Sequence, residues 1–260
     1  MSEPSLRVEG LCKNFAALEV TKEVTFSLER GARVGLIGPN GAGKTTLIGL
    51  LSGTLKPKAG TIAMPDCDIT RAAPRERVKR GLVRTFQVNN LFARLSLLEN
   101  LYLAISEQAG ASANMWRAAG PNGVVCERAE QSLQALHLAD DRHRRVAELP
   151  YGKQRLVELA IALALEPTVL LLDEPAAGIP SSETSIIFDA LERLPADIAI
   201  LMIEHDMHVV RRFARDVIVL VEGAIVMTAS CDEVMASDEV HRLYLGDAGR
   251  KRLRGPADVA

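Results

Sequence analysis

Aromatic side chains are scarce in this 260-residue chain, with six Phe, three Tyr and one Trp. So few rings argue against a surface that stacks bases, and a formal net charge of −2 provides no bulk positive field to hold nucleic acid. Any polyanion it binds must be gripped locally. Cysteine is also sparse. Cys12, Cys67, Cys126 and Cys231 each stand more than fifty residues from the next, which fits neither a zinc-ligand spacing nor a dense disulfide framework. Reduced thiols are expected. Long apolar runs are missing too, since Ile198 to Ile203 and Val217 to Val221 fall far short of the roughly 18 residues a spanning helix needs. The opening MSEPSLRVEG carries no basic start followed by an apolar stretch, so the expected compartment is cytoplasmic. There is no internal repeat and no low-complexity tract.

The composition that remains, 48% hydrophobic and 25% charged, is that of a globular protein. At about 150 residues per domain the length suits one large domain or two unequal lobes. Alternation of apolar and polar residues predicts strands at Leu6 to Leu11 and Val24 to Leu28, followed by an apolar strand at Arg33 to Ile37. A glycine-dense break, Gly38 to Gly43, precedes a predicted helix at Lys44 to Leu51. Short elements follow: a strand at Thr61 to Met64, a helix at Arg75 to Arg80 and a strand at Val83 to Gln87. From Leu91 to Leu165 apolar residues recur at helical spacing, and Gly110 to Gly123 reads as a loop. Strands and helices then alternate again from Val169, a pattern of mixed α/β class.

Gly38-Pro39-Asn40-Gly41-Ala42-Gly43-Lys44-Thr45 fits G-x-x-x-x-G-K-[ST] between a predicted strand and a predicted helix. Its glycines let successive N–H groups face inward, and the positive end of the following helix completes a nest for phosphate. Lys44 supplies a point charge to the β- and γ-phosphates, Thr45 a hydroxyl to Mg²⁺, and Thr46 a donor to a further phosphate oxygen. Later, Asp173 and Glu174 end an apolar strand. Alone, such a pair more often caps the next element. In a chain that also carries a phosphate loop, Asp173 suits Mg²⁺ held through water, and Glu174 suits the deprotonation of water attacking the γ-phosphate.

Further motifs stand in fixed order: Gln87, Leu149-Pro150-Tyr151-Gly152-Lys153-Gln154-Arg155, Asp173-Glu174-Pro175 and Ile203-Glu204-His205-Asp206. With them the chain resembles an ABC transporter ATP-binding subunit from Phe15 to Leu245. The segments Gln87 to Asn100, Tyr151 to Arg155, Asp173 to Gly178, Ile203 to Met207 and Tyr244-Leu245-Gly246 are similar to the ATPase of branched-chain amino acid importers. The resemblance implies one P-loop ABC nucleotide-binding domain over residues 1–260. It would have a mixed-sheet α/β core (1–87 and 166–260), an antiparallel β subdomain and a helical signature subdomain (88–165).

It also implies an ATPase using ATP and Mg²⁺. Phe15 would stack on adenine, Gln87 would reach Mg²⁺ and the attacking water, and His205 would contact the γ-phosphate. Pro150, Tyr151, Gly152, Lys153 and Gln154 would cover ATP bound to a second ATPase subunit, alike or different. The implied partners are permease transmembrane subunits and, indirectly, an extracytoplasmic substrate-binding protein, with no nucleic acid. The implied place is the cytoplasmic face of the membrane. Leu91 and Phe92 fit plain core as well as they fit the implied groove that, with Gln87 and the helix from Ser96 to Ile105, receives a permease helix. The basic run Arg250 to Arg254 fits a solvated terminus better than a lipid contact.

Two residues depart from the family pattern. Pro150 stands where a serine or another small residue is usual, and it lacks both a hydroxyl and a backbone N–H. Pro180 stands in a Gly178-Ile179-Pro180-Ser181 stretch where Gly-Leu-Asn-Pro is usual. Two other functions compete. A lipopolysaccharide-extracting exporter ATPase also resembles this subfamily, although Tyr151 to Gln154 and Glu204 to Met207 lean towards import. A non-transport ATP switch would want paired cassettes, a long coiled-coil insertion or a basic surface, and the sequence has none of these.

Overall fold

The computed structural model describes residues 3–85, 91–110, 123–179 and 181–245. Gln87, Pro180, most of the predicted loop (111–122) and the basic run 250–254 lie outside them. The chain packs as two compact units, one of residues up to Ala73 together with those from Ala199 onward, the other Pro74–Ile198.

The first unit opens with β1 (Leu6–Phe15), β2 (Leu18–Leu28), β3 (Arg33–Ile37), α1 (Lys44–Ser52), β4 (Ala59–Met64) and β5 (Cys67–Asp68). Alternation drives the first sheet. Leu6 pairs with Leu28 and Val8 with Phe26, and all four side chains are buried on one face. The resulting antiparallel sheet has the order β2-β1-β4-β5.

The second unit holds α2 (Pro74–Lys79), β6 (Leu82–Arg84), α3 (Leu97–Gln108), α4 (Gly123–Ala135), α5 (Tyr151–Ala164), β7 (Val169–Asp173) and α6 (Ser181–Glu192). Helix α3 starts at a reciprocal capping box. Ser96 Oγ accepts from the Glu99 N–H, while the Glu99 carboxylate accepts from the Ser96 N–H. Leu97, Leu101, Ile105, Ala129, Leu133, Leu156 and Leu159 bury the helical faces. Strands β6 and β7 run parallel, Leu82 opposite Val169, and all five residues of β7 are buried. Strands β6 and β7 thus pair with each other inside the unit that also holds α3, α4 and α5.

The chain returns to the first unit with β8 (Ala199–Ile203), α7 (Met207–Phe213), β9 (Asp216–Val221), β10 (Ala224–Ser230), α8 (Cys231–Ala236) and α9 (Asp238–Leu245). Here β3 runs parallel to both β8 and β9, and β10 closes antiparallel on β9. Parallel and antiparallel pairings thus coexist in the mixed α/β fold that the pattern predicts. Helix α7 packs on β3 at Gly35, where a Cβ would come within 2.8 Å of Val210 Cγ1. Among the described residues no helix is long and apolar enough to cross a membrane.

Candidate functional site

In the first unit, buried Ile37 ends β3 and the chain turns at once into the glycine loop. Gly41 and Gly43 take left-handed backbone, φ +83° and +100°. At Gly43 a Cβ would also lie 2.7 Å from the Val20 carbonyl oxygen, so the loop approaches β2 too closely for any side chain, whereas Gly41 faces open space. The Gly223 N–H donates to Ala42 O at 3.0 Å and fixes the back of the loop.

Lys44 folds over this loop. Its Nζ donates to Gly38 O at 2.6 Å and Pro39 O at 3.0 Å. Helix α1 has Gly43 as its N-cap, with no side-chain capping bond and no acidic residue in its first turn. Its N-terminal N–H groups and positive dipole end are therefore not screened by a carboxylate of the helix itself, which suits an anion. Thr45 is exposed at that turn and Thr46 half-buried.

Two more predicted residues belong to this unit. Phe15 ends β1 at 46% exposure, with Lys13 Nζ 5.2 Å from its ring centroid, so it is an exposed ring and not core. Its hairpin partner β2 carries the Val20 carbonyl that touches the glycine loop. His205 follows β8 and is exposed. The preceding Glu204 is buried and its N–H donates to Leu36 O, which places His205 just beyond the strand end from which the loop springs. Asp206 then caps α7 by accepting from the His208 N–H at 2.8 Å.

In the second unit, Asp173 ends β7 at 6% exposure and pairs with Arg84, Nη2 to Oδ2 2.7 Å. Glu174 follows with φ +47°, unusual for a residue with a Cβ and of the kind that clusters at functional sites. The turn is held by the Ala177 N–H donating to Glu174 O at 3.0 Å.

Pro150 is the N-cap of α5 and makes no side-chain capping bond, as its chemistry predicts. Gly152 is buried, and Tyr151 stands at the surface. Gln154 Nε2 donates to Leu149 O at 2.9 Å, and the Lys153 ammonium pairs with Asp141 Oδ2 at 2.5 Å. Lys153, with Arg144 behind it, holds the Asp141 carboxyl below its ordinary range. Arg155 is buried, donating from Nη2 to the Tyr151 hydroxyl at 2.8 Å and pairing through Nη1 with Glu158 at 2.7 Å. The Tyr151 ring covers Gly178, where a Cβ would lie 3.5 Å away. Phe92 is 60% exposed, which excludes plain core for that residue, while Leu91 is half-buried.

The first unit thus carries the loop, Phe15 and His205; the second carries Asp173, Glu174 and the signature segment. Gln87 lies outside the described residues. The sequence reading missed Arg84 and Asp141, for which a single charged residue in a strand or turn gives no signal. Among the described residues no three His, Cys, Asp or Glu side chains form a metal cage. Mg²⁺ bound through phosphate needs only one or two protein oxygens and its waters, a demand that Thr45 and Asp173 fit by donor type.

A sequence model described as "ABC transporter" matches residues 21–177. The branched-chain amino acid transport ATP-binding protein LivG of Salmonella typhimurium is 33% identical over 95% of this chain and 100% of its own length. The corresponding protein BraF of Pseudomonas aeruginosa is 31% identical over the same shares. An ATP-binding cassette of an ABC transporter, solved in its ADP conformation, superposes with a TM-score of 0.83 at 29% identity, covering 95% of this chain and 100% of that one.

Proposed function

The chain belongs to the ABC transporter family, and from that premise we propose that it is the ATP-hydrolysing subunit of an importer of branched-chain or similar amino acids. The observation that carries the enzymatic part is the glycine loop with Lys44 folded over it at a helix end that bears no carboxylate. Full-length similarity to two branched-chain transport ATP-binding proteins supports the substrate class.

In this reading the inward N–H groups of Gly38, Pro39's loop neighbours Asn40 to Gly43, and the first turn of α1 hold the phosphates. Lys44 exchanges its two carbonyl partners for phosphate oxygens, a contact between full charges. Phe15, already exposed, stacks on adenine, and His205 contacts the γ-phosphate. Thr45 and Asp173 would hold Mg²⁺, which would supply charge neutralisation at the phosphates. Glu174, on its strained turn, orients and deprotonates the attacking water, and Gln87 would reach the metal and that water. Leu149 to Arg155 presents the N-terminus of α5 to ATP held by a second ATPase subunit, so a lone chain turns over poorly. The helical region 88–165 carries that signature, and the exposed Phe92 with Leu103 on α3 meets a permease helix. Association with the permease places the chain at the cytoplasmic face of the membrane, with a substrate-binding protein acting on the far side.

Expression with its membrane partners and purification from membranes tests the whole reading. The expected result is a complex whose ATPase is stimulated by a binding protein loaded with leucine, isoleucine or valine. Stimulation by a sugar-loaded binding protein in its place would overturn the substrate class, and absence of ATP hydrolysis from the complex would overturn the enzyme.

A further inference from the structure

Arg84 ends β6 and Asp173 ends β7. The strands run parallel with Arg84 opposite Leu171, so Asp173 stands two positions further along β7 and on the same face as Leu171. A strand rises about 3.3 Å per residue, a diagonal that a guanidinium on its three-carbon stem can span. It does so here, with Nη2 2.7 Å from Oδ2 and side chains only 16% and 6% exposed. The Thr85 N–H, donating to Leu171 O at 3.0 Å, fixes the strand end that carries the arginine. The carboxylate assigned above to Mg²⁺ is therefore already engaged by a cation of the chain itself.

Both side chains are largely withdrawn from water, so the guanidinium and the carboxylate face each other with little solvent screening. A divalent ion approaching the same oxygen meets that positive charge at ion-pair distance, and the two cations compete. We propose that Arg84 is a positioning residue that occupies Asp173 Oδ2 while no metal is bound, and yields that oxygen when the metal arrives. The pair thereby lowers the affinity of this carboxylate for the metal. This inference rests on the assignment of Asp173 to the metal. It goes beyond that assignment by giving the neighbouring strand a part in metal affinity.

A purely structural ion pair makes the opposite prediction from a competitor, since loss of a structural partner leaves metal binding unchanged or weakens it. The test is a titration of the full chain with Mn²⁺ in the presence of a non-hydrolysable ATP analogue, with free Mn²⁺ read by electron paramagnetic resonance. In Arg84→Gln the Mn²⁺ dissociation constant should fall by about tenfold as the competing charge is removed. Analogue binding in EDTA should stay within about twofold, because the nest and Lys44 are untouched. Arg84→Lys, which keeps the charge, should stay near wild type. Unchanged or weaker Mn²⁺ binding in Arg84→Gln would overturn the proposal.

If Arg84→Gln does not fold, nitrogen-15 spectra of the wild-type guanidinium groups decide, with Arg84 assigned by comparison with Arg84→Lys. Its signal should shift on adding Mg²⁺ with the analogue and not on adding the analogue alone; no metal-dependent shift would overturn the proposal. A wild-type chain that binds no analogue, with Lys44→Ala indistinguishable from it, would overturn the nucleotide reading and this inference together. Failure of the Arg84 inference alone leaves that binding intact.

Discussion

Lys153 and Asp141 tie the first turn of the signature helix to the short helical turn Ala139–Asp141, with Nζ 2.5 Å from Oδ2. The other carboxylate oxygen accepts from Arg144 at 2.8 Å. Asp141 is nearly buried while its two cations are close to half exposed, so solvent screening keeps the pair well below the worth of a fully buried one. We expect Asp141→Asn to cost about 1–2 kcal/mol at pH 7. The sign of its pH dependence follows from the lowered pKa. The folded state holds the carboxylate more strongly than the unfolded state, so the contribution is complete above the ordinary aspartate range and is lost as pH falls through the lowered folded value. Urea unfolding of wild type and variant at pH 7 and at a series of decreasing acid pH values checks this. The two curves should converge in acid, and a gap that persists there would assign the loss to packing.

Lys44→Ala should weaken ATP binding by at least about 100-fold, measured by calorimetry, since it removes a full positive charge folded over the loop. Its carbonyl partners are in the loop backbone, so the melting temperature should move by no more than about 4 °C. A large drop in melting temperature with ATP affinity retained would make Lys44 a structural residue.

Glu174 joins two properties that different substitutions separate. Glu174→Gln removes the base while keeping shape, so it should bind ATP, form a closed pair of ATPase subunits and lose turnover by about 100-fold or more. Glu174→Gly removes the base and also relieves the left-handed backbone at φ +47°, so it should be equally inactive, while the relief of strain offsets the entropy that glycine adds to the unfolded chain and the melting temperature changes little. Multiple turnover in either variant would remove Glu174 from its role. In a complex with a different second ATPase, the loss from Glu174→Gln should exceed that from the equivalent partner variant, because the site opposite Pro150 is expected to be the slower one. Equal losses would discard that asymmetry.

The parts of the fold legible in the sequence are those where one local rule dominates. The glycine loop and α1 were readable because Gly43, a left-handed N-cap, and Gly53, a left-handed C-cap, bracket the helix that periodicity places at Lys44 to Leu51. Fully buried β7 was readable as an unbroken apolar run. Strand β10, Ala224–Ser230, was not read: its apolar run Ala224 to Met227 is short, and every side chain of the strand is half-buried or exposed, so no clean alternation marks a buried face. The far ends of β1 and β2 were missed because a hairpin edge tolerates Lys13, Asn14 and Glu19. At the site, Lys44, Asp173 and Glu174 could be named from chemistry and spacing. Arg84 could not, because its partner lies 89 residues away and only the β6–β7 register brings them together.

Pro150 offers a test in which stability and catalysis are measured separately. As the N-cap of α5 it accepts the first helical bond, from the Gln154 N–H at 3.1 Å, but provides no side-chain oxygen for the N–H groups that follow. Pro150→Ser adds such an oxygen, and a capping serine is worth about 1 kcal/mol. Its φ of −55° is open to serine without strain, although release of the ring raises the entropy of the unfolded chain and offsets about 0.4–1 kcal/mol of the gain. The melting temperature of the isolated chain should therefore change little. In the assembled complex the same hydroxyl can turn towards the γ-phosphate of the second subunit's ATP. A hydrogen bond to a charged group is worth about 1.5–3 kcal/mol, so turnover should rise about 10- to 100-fold if that contact strengthens in the transition state. Steady-state ATPase of the complex, beside thermal melting of the isolated chain, distinguishes the two effects. A rise in melting temperature with flat turnover would confine Pro150 to helix capping, and a rise in turnover at constant stability would establish the missing hydroxyl as a catalytic deficit of this chain.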